Sequence, residues 1–515
     1  MINEDVILES LNLDYTPSKF QMDFYINLLN NKSNILLNAV AGSGKTTTIV
    51  DGLKLLDNSS TKIFLAFNNS VVEELKFRTP SDVVVTTLHS LGWRSIIRVY
   101  NGAILDKNKA YKYCEKILRF VVKKEDKPIK FKMYTDVIHL MRNTLIFEKK
   151  KLNKELKRHD IFFNDLDFEN LFLVWNSFKE DNNTFDFTDM LYKACTDSRI
   201  RIMRYDFVFV DEVQDLNRAQ QKLVERLIHK RTKLITVGDP RQSIYGFAGS
   251  DSRSFKYYKK RKNTIELPLS ITYRCPKNIA KEAKKLNKKL QWSESSSDGV
   301  FNDKSSISKI RSGDWVLCRN VKPLVVLCVD LISKGYKARI KGSTDFAKQV
   351  IYKLKGTKKE LTKDAVNKLI GDLDSLYREL LGKGIKKPKR HPKYIKMSEI
   401  LSVIYFLSSG TTNVKQIIVK LERLFTNSKS NDITLSTIHK SKGLENDRIF
   451  IICPELIPSK YAIQKWQLKQ ENNLKYVAYT RAKKELHICN DFEDSVVDFR
   501  KIAKEIEKQY KNKKI

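Results

Sequence analysis

The chain has 515 residues, and one run of them could cradle a polyphosphate: Ala39-Val-Ala-Gly-Ser-Gly-Lys-Thr46, directly after the apolar stretch Ile35–Asn38 and before helical sequence. Glycines let a backbone curl so that successive N–H groups converge on phosphate oxygens, and Ala41, Gly42, Ser43, Gly44, Lys45, Thr46 and Thr47 would form that cradle. Lys45 would reach the β- and γ-phosphates of ATP, and the Thr46 hydroxyl would ligand Mg2+. Ala39 stands where the generic pattern has its first glycine. Taken alone, the run also fits an ordinary Gly-rich turn. A second run decides between the two: Phe207-Val-Phe-Val-Asp-Glu212 is an apolar strand that delivers two carboxylates at its C-terminal end. Asp211 can hold Mg2+ through water, and Glu212 can orient or deprotonate an attacking water. A phosphate loop followed by such a pair points to nucleotide hydrolysis.

These groups need a rigid frame. Short β-branched runs recur at Ile35–Asn38, Ile63–Phe67, Val83–Thr86, Phe207–Val210 and Leu234–Val237, then at Trp315–Cys318, Ile449–Cys453 and Leu486–Cys489. Near-continuous apolar strands alternating with helices indicate parallel sheets covered on both faces. Two sets predict two α/β domains divided near residue 266. Residues 96–200 read as helical, with a basic stretch at Glu148–Arg158, and 352–428 read as helical again. In the latter, Leu361, Val366, Leu369, Leu373, Leu376 and Leu380 fall near helical spacing, and Gly382 and Gly384 stand where a cap would.

Lys plus Arg number 96 against 60 Asp plus Glu, a formal net charge of +36. That excess suits a polyanion partner, since each cation that neutralises a phosphate releases counterions. A Lys-rich solvated surface explains it as well, so charge alone leaves both readings open. Seven scattered cysteines without a C-x-x-C read as reduced core thiols. The N-terminus carries acid where a secretory signal carries positive charge, and no apolar run is long enough to span a bilayer. The expectation is a soluble intracellular protein with no membrane partner, in a prokaryotic cytoplasm or at a nuclear or viral replication site.

The residues after Asp211 resemble one family. Asp211-Glu-Val-Gln-Asp215 is similar to motif II of the UvrD/Rep/PcrA branch of superfamily 1 helicases, and Val237–Gly249 to motif III. Thr272-Tyr-Arg-Cys275, Ser436–Glu445 and Tyr476–Ala482 are similar to motifs IV, V and VI. Upstream, Thr16–Gln21 resembles the Q motif, and Ala66–Asn69 and Thr86–Ser90 the two DNA-facing motifs of the first domain. The set runs in the family's order from about residue 16 to 486.

The resemblance implies two RecA-like parallel-sheet domains, each with a mainly helical insertion, and ATP held between them. Residues 1–95 and 201–265 would form the first, which holds the ATP site, and 96–200 its basic helical insert (1B-like). Residues 266–351 and 429–495 would form the second, 352–428 a reduced insert (2B-like), and 496–515 a basic C-terminal helix or tail. Gln21 would recognise the adenine edge, Tyr273 stack on the base, and Glu445, with Gly443 in the same motif, meet the ribose side. Gln242 would contact the γ-phosphate, and Arg274 and Arg481 would meet the developing transition-state charge. Phe67, Asn69, Thr87, His89, Tyr245, Phe247 and His439 would line the DNA track, where aromatic faces stack bases without reading sequence.

What this implies is an ATP-dependent 3′→5′ DNA helicase of repair, replication or recombination, working on single strands and single-to-double-strand junctions, with loading or repair proteins as further partners. A translocase that strips proteins and unwinds poorly shares the motor residues. A nucleic-acid-binding scaffold with a dead nucleotide site would lack Lys45, Glu212 or Arg481, and all three are present. RNA stays open as a track, since stacking and phosphate contacts tolerate either sugar. Three departures stand out: Phe247-Ala248 replaces the family's Trp-Arg, Asn446 follows Glu445 in place of an aromatic, and the second insert is short.

Overall fold

The computed structural model describes residues 3–492, apart from 124–126, 160, 247–252, 343, 383–384, 386–387 and 426–430. The expected terminal helix at 496–515, and Phe247 with Ala248, lie outside the described residues. The protein is α/β, with two six-stranded parallel sheets in two compact units that divide between Thr272 and Tyr273.

In the first unit the strands are β1 (Asn34–Ala39), β2 (Lys62–Ala66), β3 (Val83–Thr87), β4 (Phe207–Val210), β5 (Lys233–Gly238) and β6 (Thr264–Leu269). Their order is β3-β2-β4-β5-β1-β6, all parallel. The central strands are apolar on both faces because each face is covered. Ile35, Leu37, Phe64 and Ile235 belong to one core layer, and Leu36, Ile63, Val208 and Leu234 to the other. Strands β4, β5 and β1 are neighbours, with Val210 opposite Thr236 and Asn38 opposite Gly238. Their carboxyl ends therefore emerge side by side, the usual place for a ligand in an open parallel sheet.

β6 escaped the sequence reading because Glu266 and Pro268 interrupt its apolar pattern. It lies at the sheet edge, where a missing N–H is tolerated. Residues 266–272, expected in the second domain, thus belong to the first unit.

Lys233, at the start of β5, is buried, and its ammonium donates to the carbonyls of Asn27 (2.8 Å), Leu28 (2.6 Å) and Asn31. These lie at the end of helix Lys19–Asn30, where the last carbonyls lack intrahelical partners and the dipole favours a cation. Lys233→Met leaves those acceptors without that donor. A stability loss of about 2–3 kcal/mol is expected, read from the denaturant midpoint.

The helical segment of this unit comprises Lys109–Leu118, Lys127–Thr144, Lys149–Arg158 and Asp165–Lys179. Phe131, Tyr134, Leu152, Leu156, Leu171 and Trp175 give it a core of its own. Buried charges join it to helix Phe187–Thr196: Arg142 pairs with Asp186 and Asp189, each at 2.8 Å, and Lys109 with Asp189 at 3.1 Å. The basic stretch is the helix Lys149–Arg158, which buries Leu152 and Leu156 and exposes Lys150, Lys154 and Lys157.

The second unit has β7 (Val300–Ser305), β8 (Trp315–Cys318), β9 (Ala338–Ile340), β10 (Ile433–Thr437), β11 (Asn446–Ile452) and β12 (Ala482–Cys489). Their order is β7-β12-β11-β8-β10-β9, again parallel. Helices Thr344–Gly356, Thr362–Gly382, Pro392–Ser408 and Val414–Leu424 fill the expected helical stretch. They do not make a core apart: Leu369, Leu401, Ile404 and Leu421 share one cluster with Val316, Leu435 and Phe450 of the sheet. Leu361, expected on the apolar face, precedes its helix and is exposed, and Gly382 is the last helical residue, not a cap beyond it. All seven cysteines are buried free thiols.

Candidate functional site

The phosphate loop leaves β1 and turns at Gly42 (φ 72°) and Gly44 (φ 73°), left-handed conformations that a side chain would oppose. Gly44 caps helix Lys45–Lys54 without a side chain, so the first helical amides face outward, as anion binding requires. The Ser43 hydroxyl is buried without a hydrogen-bond partner. An orphaned donor in a loop of converging amides fits phosphate oxygens, so the residues present suit a nucleotide. Lys45, Thr46 and Asp211 would hold its phosphates and Mg2+.

Lys45 Nζ lies 2.5 Å from Glu212 Oε1. Burial pulls its pKa down, but the carboxylates of Glu212, Asp211 and Asp239 outweigh that and hold it above the ordinary lysine value. Glu212 itself sits at φ 51°, uncommon for a residue with a side chain and a conformation the surroundings must hold. Asp211 accepts the Glu212 backbone N–H at 2.8 Å. In the turn after β5, the Gln242 amide donates to Asp239 Oδ2 at 3.0 Å. Burial raises the Asp239 pKa, against the hydrogen bonds from Gln242 and the Arg241 N–H. Asp239 and Gln214, inside the quoted motifs but given no role from sequence, prove central to this cluster. Arg78, also unread, donates to Thr47 Oγ1 at 3.1 Å.

Gln21 is buried. Its Oε1 accepts from Ser18 N–H at 2.9 Å in a capping box, and Nε2 donates to Thr48 Oγ1 at 3.2 Å. The Ser-x-x-Gln spacing that signals this cap was legible. Of the expected track residues, Phe67 (43% exposed) and Tyr245 come together as near-parallel rings, centroids 6.2 Å apart and 15° between planes. Asn69 is exposed at the start of helix Asn69–Arg78. Thr87 is instead buried, and its hydroxyl caps helix Leu88–Ile97 by accepting Ser90 N–H at 3.1 Å. His89 is half-buried, which lowers its pKa and keeps the ring neutral at neutral pH.

In the second unit Tyr273 is 53% exposed. Arg274 pairs with Glu445 and donates to Thr480 O at 3.2 Å. Gly443 (φ 82°) makes the turn before Glu445. Arg481 is 1% exposed; its guanidinium donates to Val477 O (2.9 Å), Leu444 O (3.0 Å) and Thr480 Oγ1 (3.2 Å). Burial, and then Arg319, push His439 down to about 3, so it too is a neutral ring. Asn446, one of the departures, ties its side chain to Gly313 O at 2.8 Å and so fastens the start of β11.

Parallel sheets with a glycine-rich loop at the end of one central strand and an acidic pair at the end of a near neighbour are consistent with the RecA-like fold class. Residues 25–263 match the family described as UvrD/REP helicase N-terminal domain, and in that part the chain is similar to UvrD/Rep/PcrA-type helicases. It is 25% identical over 297 residues to a probable DNA helicase II homolog of Mycoplasma genitalium, covering 48% of this chain and 40% of that protein. With the ATP-dependent DNA helicase PcrA of Staphylococcus epidermidis the identity is 27% over 312 residues, 54% of this chain and 41% of the relative. The chain thus spans about two fifths of the length of these relatives. A Gabija protein GajB of Bacillus cereus is 22% identical over 512 residues, 90% of this chain and 94% of that protein. Among the described residues no helix is long and apolar enough to cross a membrane.

Proposed function

We propose that the chain is an ATP-dependent 3′→5′ DNA helicase or translocase that moves along single strands, in a setting of DNA repair, replication or recombination. The observation that carries this is the meeting of Lys45, Glu212 and the Asp239–Gln242 turn at the carboxyl ends of the central strands, with Gln242 on the same loop as the stacked Tyr245. ATP supplies the phosphoanhydride whose cleavage drives each step. Lys45 neutralises phosphate charge, Thr46 and Asp211 hold Mg2+, and Glu212 accepts the proton of the attacking water. Gln242 senses the γ-phosphate side, and Phe67 with Tyr245 offers bases an aromatic face. Neutral His89 and His439 serve as hydrogen-bonding rings beside that path, not as fixed positive charges. Arg274 and Arg481 stabilise transition-state charge, and Tyr273 and Gln21 hold the base.

The deciding experiment is strand displacement on partial duplexes with 3′ or 5′ single-stranded tails, with and without ATP. Displacement from the 3′-tailed duplex alone, dependent on ATP, is the expected result. ATP turnover stimulated by single strands without displacement would favour the protein-stripping translocase. No turnover at all would leave the inert scaffold, and preference for RNA tails would move the track to RNA.

A further inference from the structure

Gln214 follows the acidic pair, and its side chain is 1% exposed. Nε2 donates to Glu212 Oε2 at 2.5 Å, and Oε1 accepts the Asp239 backbone N–H at 3.1 Å. Its main-chain carbonyl accepts the Ser243 hydroxyl at 3.3 Å. One amide thus joins the carboxylate that activates water to the loop that carries Gln242 and Tyr245. The orientation of the amide is fixed by its partners. Turned over, it would set N–H against the Asp239 N–H and oxygen against the Glu212 carboxylate. The close approach depends on Gly238: a Cβ there would stand 2.2 Å from Gln214 Oε1 and 3.1 Å from Val213 Cγ2. Glu212, in its left-handed conformation, needs such a hold.

We propose that Gln214 is a positioning residue that sets the Glu212 carboxylate and carries the state of the 239–245 loop to it, so that ATP turnover follows occupancy of the track. This rests on the helicase reading above. One Glu212 oxygen is held by Lys45 and the other by Gln214. When Lys45 turns to phosphate, the amide keeps the carboxylate in place while the freed oxygen takes the water. A base stacked on Tyr245 shifts the loop, the Asp239 N–H shifts with it, and the amide follows.

The test uses the full chain and measures ATP turnover with and without oligothymidylate, together with KM for ATP and the melting midpoint. Gln214→Glu keeps the shape and the acceptor toward Asp239 but sets a second carboxylate where Glu212 needs a donor. Its DNA-stimulated kcat is expected to fall at least about 10-fold, with KM for ATP and melting held close to wild type. Gln214→Met loses both links, and its ratio of DNA-stimulated to unstimulated rate is expected to fall toward one. Gly238→Ala displaces the amide through its neighbour and should give an intermediate loss of the same kind, in kcat and not in KM.

Wild-type kcat and stimulation in both Gln214 variants would overturn the proposal. So would parallel losses of nucleotide affinity and melting in all three variants, which would make Gln214 a packing residue only. Absence of DNA-stimulated turnover in the wild type would overturn the helicase reading first, and this proposal with it.

Discussion

Lys45→Ala and Glu212→Gln each abolish DNA-stimulated ATP hydrolysis, and the two variants part company in nucleotide binding. The pair is joined at 2.5 Å, with Asp211 and Asp239 close enough to hold the ammonium charged. Removing Lys45 leaves three carboxyl groups around a loop meant for phosphate, so affinity for ATP falls. Replacing Glu212 by its amide removes one negative charge beside Lys45 and frees the ammonium for phosphate, so ATP still binds. A Kd at least about 10-fold weaker for the alanine variant is expected, with kcat down by about 10²–10⁴ in the amide variant from loss of the base. Titration with a fluorescent ATP analogue and a coupled ATPase assay read the two effects separately. Equal affinities, or turnover near wild type in either variant, would sink the assignment.

Arg481→Ala is expected to reduce kcat by about 10³–10⁵, the range for a guanidinium that meets transition-state charge in other phosphoryl-transfer enzymes. It has a second effect that the sequence did not announce. The guanidinium fastens Val477 O, Leu444 O and Thr480 Oγ1, so alanine also strips a buried site of its donors and lowers the melting midpoint. Arg481→Lys separates the two: the ammonium restores part of the stability, but not the planar fork, so turnover stays low. An alanine variant that hydrolyses ATP normally would make Arg481 a structural residue, whatever its melting temperature.

Local chemistry was legible where local sequence suffices. Gly42, Gly44 and Lys45 are a backbone geometry and a charge written in consecutive residues, and Asp211-Glu212 at the end of Phe207–Val210 is equally local. Most central strands could be read because burial on both faces demands unbroken apolar runs; Ile433–Thr437, with Thr434 and Ser436 among its residues, could not. Of the edge strands only Val83–Thr87 could be: Val300–Ser305 is mostly polar, Thr264–Leu269 carries a proline, and Ala338–Ile340 is too short to show a pattern. The link from Gln214 to Asp239 is set by the β4–β5 register and the turn beyond it, and no spacing along the chain encodes it. Thr87 and Gln21 also serve the fold as helix caps. Both caps are written in local spacing, Ser18-x-x-Gln21 and Thr87-x-x-Ser90.

The two helical additions are grafted onto their sheets in different ways, and this governs how far each can be exchanged. The segment in the first unit has an interior of its own and a seam of matched charges, Arg142 and Lys109 against Asp186 and Asp189. It behaves as a module, whose interior can be rewritten as long as the few residues of the seam keep their partners. The segment in the second unit contributes Leu369, Ile404 and Leu421 to the same interior as the strands, so each of its apolar positions is also a position of the sheet. Variation can trade the first as a part, whereas the second can change only together with the strands beneath it.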